Sequence, residues 1–132
     1  MEYRSGWTTS KKRLIFTVTP GRSGTGYLCF LLEGFDVSCL HEPSPDFADA
    51  MADAQWDYSI AERFLLERKL PFIRNTSTRT YLETSHLVCK GFLEPLIYHG
   101  LIPDLIILNR DKFSVATSLY QLGTVPSRTP GA

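Results

Sequence analysis

The sequence predicts an α/β protein, with a parallel sheet of about four strands and helices on both faces. Three observations predict it. Four short runs of strand character stand near residues 13–19, 37–40, 80–85 and 105–108. Segments of helical pattern separate them, and such alternation implies parallel strands joined by right-handed crossovers. A glycine-rich turn follows the first run directly and leads into the first helical segment. The 132 residues make one domain by length.

Each element has a local reason. Arg13 to Thr19 reads RLIFTVT, which predicts a strand buried on both faces. Residues 21–26 read GRSGTG, too rich in glycine for helix or strand. Tyr27 to Leu32 is apolar at every position, which predicts a buried helix, with Gly34 as its C-terminal stop. Val37 to Leu40 is a second strand, ending at His41-Glu42-Pro43. Residues 44–57 carry Ser, Pro, Asp and Ala and read as a loop with room for one helical turn. Tyr58 to Lys69 is an amphipathic helix: Ile60, Ala61, Phe64 and Leu65 form its apolar stripe, Glu62, Arg63, Glu67 and Arg68 face water, and Pro71 lies past its end. Thr80 to Ser85 is the third strand. A helix over Phe92 to His99 has Pro95 in its first turn and Gly100 as its stop. Leu105 to Leu108 is the fourth strand, and Asp111 is placed to cap a helix running to about Leu122.

Composition narrows the function. Apolar residues make up 43% and charged residues 21%, as in an ordinary soluble globular chain. Lys and Arg number 14 against 14 Asp and Glu, so bulk electrostatic binding of nucleic acid is not expected. An anionic ligand would need a local site. No apolar run is long enough to predict a membrane span. Met1 to Ser10 lacks the apolar segment of a secretory leader, so the expected setting is cytoplasmic. Cys29, Cys39 and Cys89 are odd in number and far apart in sequence, and read as buried free thiols. No His, Cys or Asp grouping has metal-site spacing, so no metal is expected.

In parallel sheets, ligands gather beyond the carboxyl ends of the strands. That rule selects residues 20–26, 41–43, 84–86 and 109–111. A strand, then GRSGTG, then a helix suits a phosphate, because glycines let backbone N–H groups converge on an anion at a helix N-terminus. Gly21 and Gly26 have the spacing of the first part of a Walker A loop. Tyr27 and Leu28 stand where that motif needs Lys and Ser or Thr, which argues against nucleoside triphosphate hydrolysis. Arg22 can supply the positive charge, with a forked grip on an oxyanion.

TPGRSGTGYL resembles the 5′-phosphosulfate-binding loop of sulfotransferases that use 3′-phosphoadenosine-5′-phosphosulfate. The resemblance assigns Gly21, Arg22, Ser23, Gly24 and Thr25 to that loop, with Gly26 at the helix start. LIILNRDKFSVATSLY resembles the 3′-phosphate motif of the same family, in which an Arg at a strand end is followed eight residues later by a Ser. Arg110 and Ser118 match that spacing, while Asp111-Lys112 replaces the usual Asn/Asp-Pro. On the bare sequence, Ser114, Ser118 and Gln121 share one side of this helix, and Phe113, Ala116 and Tyr120 define another.

Sulfonyl transfer needs a base for the acceptor's proton and positive groups against the developing charge. Two alternatives stand at strand ends, Glu42 and His86. The resemblance gives Glu42 the place of the proposed base in carbohydrate-type and bacterial members. Thr84-Ser85-His86 lies in the region of the Lys-Thr-His motif of cytosolic members, whose His is the base. An imidazole titrates near neutrality without tuning, whereas a carboxylate must be raised to serve. Lys90 has a looser link to a family lysine near the sulfonate, and His99 is assigned no chemistry.

The resemblance therefore implies a P-loop NTPase-like, three-layer sulfotransferase domain over residues 13–132, after an N-terminal extension over 1–12. It implies a chain lacking the C-terminal part of the family fold. Its co-substrate would be 3′-phosphoadenosine-5′-phosphosulfate, without metal, and its acceptor a small molecule or carbohydrate, with no nucleic acid and no membrane as partner. Two alternatives stay open: a P-loop nucleotide kinase or phosphotransferase, and a non-catalytic nucleotide-binding or interaction domain, for which a homodimer is one form.

Overall fold

A computed structural model describes residues 12–19 and 25–122, Thr25 by its backbone alone. Four strands form one sheet: β1 (Arg13–Val18), β2 (Val37–His41), β3 (Thr80–Thr84) and β4 (Asp104–Ile107). All pair in parallel, in the order β2-β3-β1-β4. The α/β class and the parallel sheet agree with the sequence reading. The chain leaves β1 through helix α1 (Thr25–Leu31) and passes over β3 to reach β2. It leaves β3 through α5 (Leu93–Tyr98) and passes over β1 to reach β4, followed by α6 (Lys112–Leu122).

The register sorts side chains by face. Leu14 lies opposite Tyr81 and Phe16 opposite Glu83. This face meets the main core, in which Phe47, Phe64, Ile73, Phe92 and Leu96 are buried with Leu14, Phe16 and Tyr81. Aromatic contacts tie it together: Phe16 meets Phe47 edge-on at 6.0 Å, and Phe47 lies 4.8 Å from Phe92 between ring centres. The opposite face carries Thr17, Cys39 and Thr84 and is covered by α1, whose Cys29 reaches Thr84 and Cys39. Helices thus lie on both faces.

Four sequence expectations change. Helix α1 is not buried: Tyr27 is 64% exposed and Phe30 65%. Continuous apolar sequence gave no face to distinguish, and only the side bearing Cys29 turns to the sheet. The stretch read as loop at 44–57 holds helix α2 (Ala48–Ala54), which buries Ala50 under Phe47 in the core. Small residues there hid an apolar stripe. The helix expected to stop before Pro71 runs on. Its α-helical start α3 (Tyr58–Phe64) widens into a π-helical segment (Leu65–Lys69) and resumes as α4 (Leu70–Arg74). Proline falls in the first turn of α4, where a missing N–H is tolerated. Finally, Cys89 is exposed, while Cys29 and Cys39 are only half-buried.

Other boundaries follow the reading closely. Asp57 caps α3, its side chain accepting from the Ser59 backbone N–H at 3.0 Å. Gly100 stops α5 at φ +80°, a backbone conformation that glycine adopts without strain. Asp111 caps α6, accepting from the Ser114 N–H at 2.9 Å and its hydroxyl at 3.1 Å. Among the described residues, no helix is long and apolar enough to cross a membrane.

Candidate functional site

The parallel sheet collects the polar strand ends on one edge. β2 ends in His41, followed by Glu42, and β3 ends in Thr84, followed by Ser85 and His86. Glu42 extends the ladder by one bond, its N–H donating to the Thr84 carbonyl at 3.1 Å. Its backbone then turns into the left-handed region at φ +46°. A residue with a Cβ is strained there by about 1 kcal/mol.

This turn brings together the two residues that the sequence offered as alternatives. His86 Nδ1–H donates to Glu42 Oε1 at 3.0 Å. His41 stands on the other side, its Nε2 4.0 Å from Glu42 Oε2 and its Nδ1 sharing a 2.9 Å hydrogen bond with Thr84 Oγ1. The carboxylate is thus set between two imidazoles, each partly open to solvent. Glu42 can hold the His86 ring in one orientation, with Nε2 turned away from it. A carboxylate on one nitrogen favours a proton there and stabilises the imidazolium after the other nitrogen takes one up.

The supporting residues fix this edge. Ser85 is fully buried: its N–H donates to Thr17 Oγ1 at 2.9 Å, and its carbonyl accepts from the same hydroxyl at 2.9 Å. Its own hydroxyl accepts from the Leu87 N–H at 3.0 Å. The chain around His86 is therefore pinned to β1, an inner strand of the sheet.

Beneath the Glu42 turn lies an ion pair that the sequence reading missed. Lys69 and Glu83 are both completely buried, with Lys69 Nζ 3.0 and 3.1 Å from the two carboxylate oxygens. Tyr81 O–H donates to Glu83 Oε1 at 2.6 Å. Lys69 Nζ lies 4.7 Å from the centre of the Phe47 ring and 5.8 Å from that of Phe72, and it also reaches the Pro43 carbonyl at 3.5 Å. Burial pushes the Glu83 carboxyl up and the Lys69 ammonium down, and their mutual attraction opposes both shifts. Two sequence signals pointed here. Glu83 alternates with Tyr81 on one face of the strand, and Lys69 follows Leu65 by four residues on the apolar side of its helix.

The second region lies after β4. Arg110 and Ser118 line one shallow cavity of about 290 Å³ with Phe113, Ser114, Thr117 and Gln121. The polar strip expected on α6 therefore faces this hollow, and Phe113 joins it rather than the opposite side. The Asp111 carboxyl is held below the usual range, first by the Ser114 backbone N–H, then by the Ser114 hydroxyl. β4 pairs directly with β1, and the Leu108 N–H donates to the Val18 carbonyl at 3.1 Å. The Arg110 segment therefore follows the strand next to the one that feeds the glycine turn.

Of that turn, Gly21, Arg22, Ser23 and Gly24 lie outside the described residues. Thr25 begins α1, and Gly26 sits exposed in its first turn with open space about it. Lys90 is exposed, and its carbonyl accepts from Gln55 Nε2 at 2.9 Å. His99 lies away from this edge, buried against Glu62 with Nε2 2.6 Å from Oε2. Comparison with known proteins returned no matching family model, no matching curated protein and no matching solved structure.

Proposed function

We propose that this chain is a sulfotransferase that moves a sulfonate from 3′-phosphoadenosine-5′-phosphosulfate to a hydroxyl or amine. The observation that carries the reading is the hydrogen-bonded Glu42–His86 pair at the carboxyl edge of a parallel sheet. Such a pair is a ready general base. His86 Nε2 takes the acceptor's proton as the acceptor oxygen or nitrogen bonds to sulfur and the sulfur–oxygen bond to the 5′-phosphate breaks. Glu42 stabilises the resulting imidazolium. The donor supplies an activated sulfonate and leaves as 3′,5′-adenosine bisphosphate.

The cavity lined by Arg110 and Ser118 supports the donor assignment. A guanidinium and hydroxyls around one hollow suit a phosphate monoester. The strand neighbouring β4 leads into GRSGTG, whose Arg22 would hold the donor's other end. The kinase reading is weaker, because Tyr27 and Leu28 occupy the positions of the Walker lysine and hydroxyl.

Calorimetry with 3′,5′-adenosine bisphosphate and with adenosine 5′-monophosphate tests the assignment. Binding of the bisphosphate without metal is expected. Arg110→Ala should weaken it about 10- to 100-fold, as loss of a charged hydrogen bond implies, and leave the monophosphate nearly unchanged. Equal losses for both nucleotides would reject the 3′-phosphate role of Arg110. Strong binding of ATP that depends on Mg²⁺, without bisphosphate binding, would turn the assignment to a phosphotransferase.

A further inference from the structure

Cys29 and Cys39 come from different elements, α1 and β2, and face each other across the helix–sheet contact. Cys39 Sγ donates to Cys29 Sγ at 2.7 Å, and both thiols are half-buried. Cys29 Sγ also lies 3.5 Å from Thr84 Oγ1, the hydroxyl that is bonded to His41. A disulfide holds its sulfurs about 2.05 Å apart, so closure asks for a shift of about 0.7 Å. The element that must move can do so. Helix α1 is only seven residues long and turns Tyr27, Phe30 and Leu31 to solvent, so much of its apolar surface lies outside its contact with the sheet.

We propose that Cys29 and Cys39 are a redox-active thiol pair, closed to an intramolecular disulfide by a low-molecular-weight disulfide such as oxidised glutathione. Cys39 is held as the thiol, pushed up to about 12, first by burial and then by its contact with Cys29. We assign the first attack to Cys29, which sits on the short helix whose outer face is open to solvent. Its sulfur, having given its proton to solvent, attacks one glutathione sulfur and expels glutathione thiolate, leaving a mixed disulfide. Cys39 then gives up its proton, attacks the Cys29 sulfur and expels the second glutathione. Two protein thiols and one glutathione disulfide become one protein disulfide and two glutathione thiols, with no other reactant. The product would tie α1 to β2 directly beneath His41 and Thr84. Nothing in this proposal depends on the transfer reaction.

The sequence makes the test clean. Trypsin leaves Cys29 and Cys39 together in peptide 23–63 and Cys89 alone in peptide 80–90. Reduced full-length protein is incubated with oxidised glutathione, quenched, alkylated with N-ethylmaleimide, digested and weighed. Peptide 23–63 should lose about 2 Da and take up no maleimide, while peptide 80–90 carries maleimide or one glutathione. Cys39→Ser should trap glutathione on Cys29, a gain of about 305 Da, while Cys29→Ser should take up less on Cys39. Cys89→Ser should leave closure unchanged. Peptide 23–63 taking up two maleimides at an oxidant level that modifies Cys89 would overturn the proposal. So would stable glutathione on both of its thiols.

Discussion

Lys69→Met removes the ammonium from a buried pair and leaves Glu83, among the described residues, with Tyr81 as its donor. Methionine matches the length of the lysine stem and keeps contact with Phe47 and Phe72, so little of the loss is packing. Removing one partner of a fully buried ion pair costs about 3–5 kcal/mol. For a chain of this size that lowers the melting temperature by roughly 10–20 °C. The cost should depend on pH. Burial raises the folded-state pKa of Glu83, so the folded state takes up a proton more readily than the unfolded chain. The penalty of an unpaired buried carboxylate is full above that raised pKa. It fades as pH falls toward the unfolded carboxylate value of about 4.3. Urea denaturation of both proteins at pH 5 and pH 8 measures it, with a larger deficit expected at pH 8. Adding Glu83→Gln to Lys69→Met should restore part of the loss, because the second change removes the stranded charge. A Lys69→Met protein as stable as the parent, or one with an equal deficit at both pH values, would refute the pairing.

On the proposed function, Glu42→Gln and His86→Ala should each slow sulfonate transfer by about 10²- to 10⁴-fold, read in a steady-state assay, with bisphosphate binding unchanged by calorimetry. The double variant should be little slower than His86→Ala alone, since groups acting as one unit are not additive. Gly100→Ala should cost about 1 kcal/mol in urea denaturation. The residue sits at φ +80° with open space where a Cβ would go, so the cost is one of backbone conformation and not of collision.

Much of the fold was legible because its signals are local. Short β-branched runs gave the strands, and Gly100 and Asp111 marked helix ends through their own backbone chemistry. What failed to show depends on partners distant in sequence. The exposure of Tyr27 and Phe30 follows from which side of α1 meets the sheet, and an all-apolar segment has no pattern that says so. The passage of the helix through Pro71 depends on a π-helical widening, which leaves no composition signal. In the site, the motif resemblance paired Arg110 with Ser118, and both line one cavity because they belong to one strand–helix unit. The Glu42–His86 contact joins residues 44 positions apart, and Lys69–Glu83 joins residues from a helix and a strand. Such contacts arise only once the register of β2 against β3 and the packing of the helix are set.

Two unfavourable features meet at one turn, and their meeting argues for function there. Glu42 holds a left-handed backbone that glycine would adopt without strain. One residue on, the Pro43 carbonyl takes the last contact of a lysine buried at the expense of its hydration. A chain selected for stability alone would place glycine at the turn and an apolar pair in the core, each change neutral or favourable. Local rules broken together, without a gain in stability, tend to mark sites where side-chain geometry matters more than folding energy. Here the geometry concerned is that of the Glu42 carboxylate. Its backbone N–H is tied to β3, its neighbour's carbonyl is tied to Lys69, and its oxygens are set between His41 and His86. Each tie removes a freedom that the carboxylate would have to lose in the proposed role of orienting an imidazole for proton transfer.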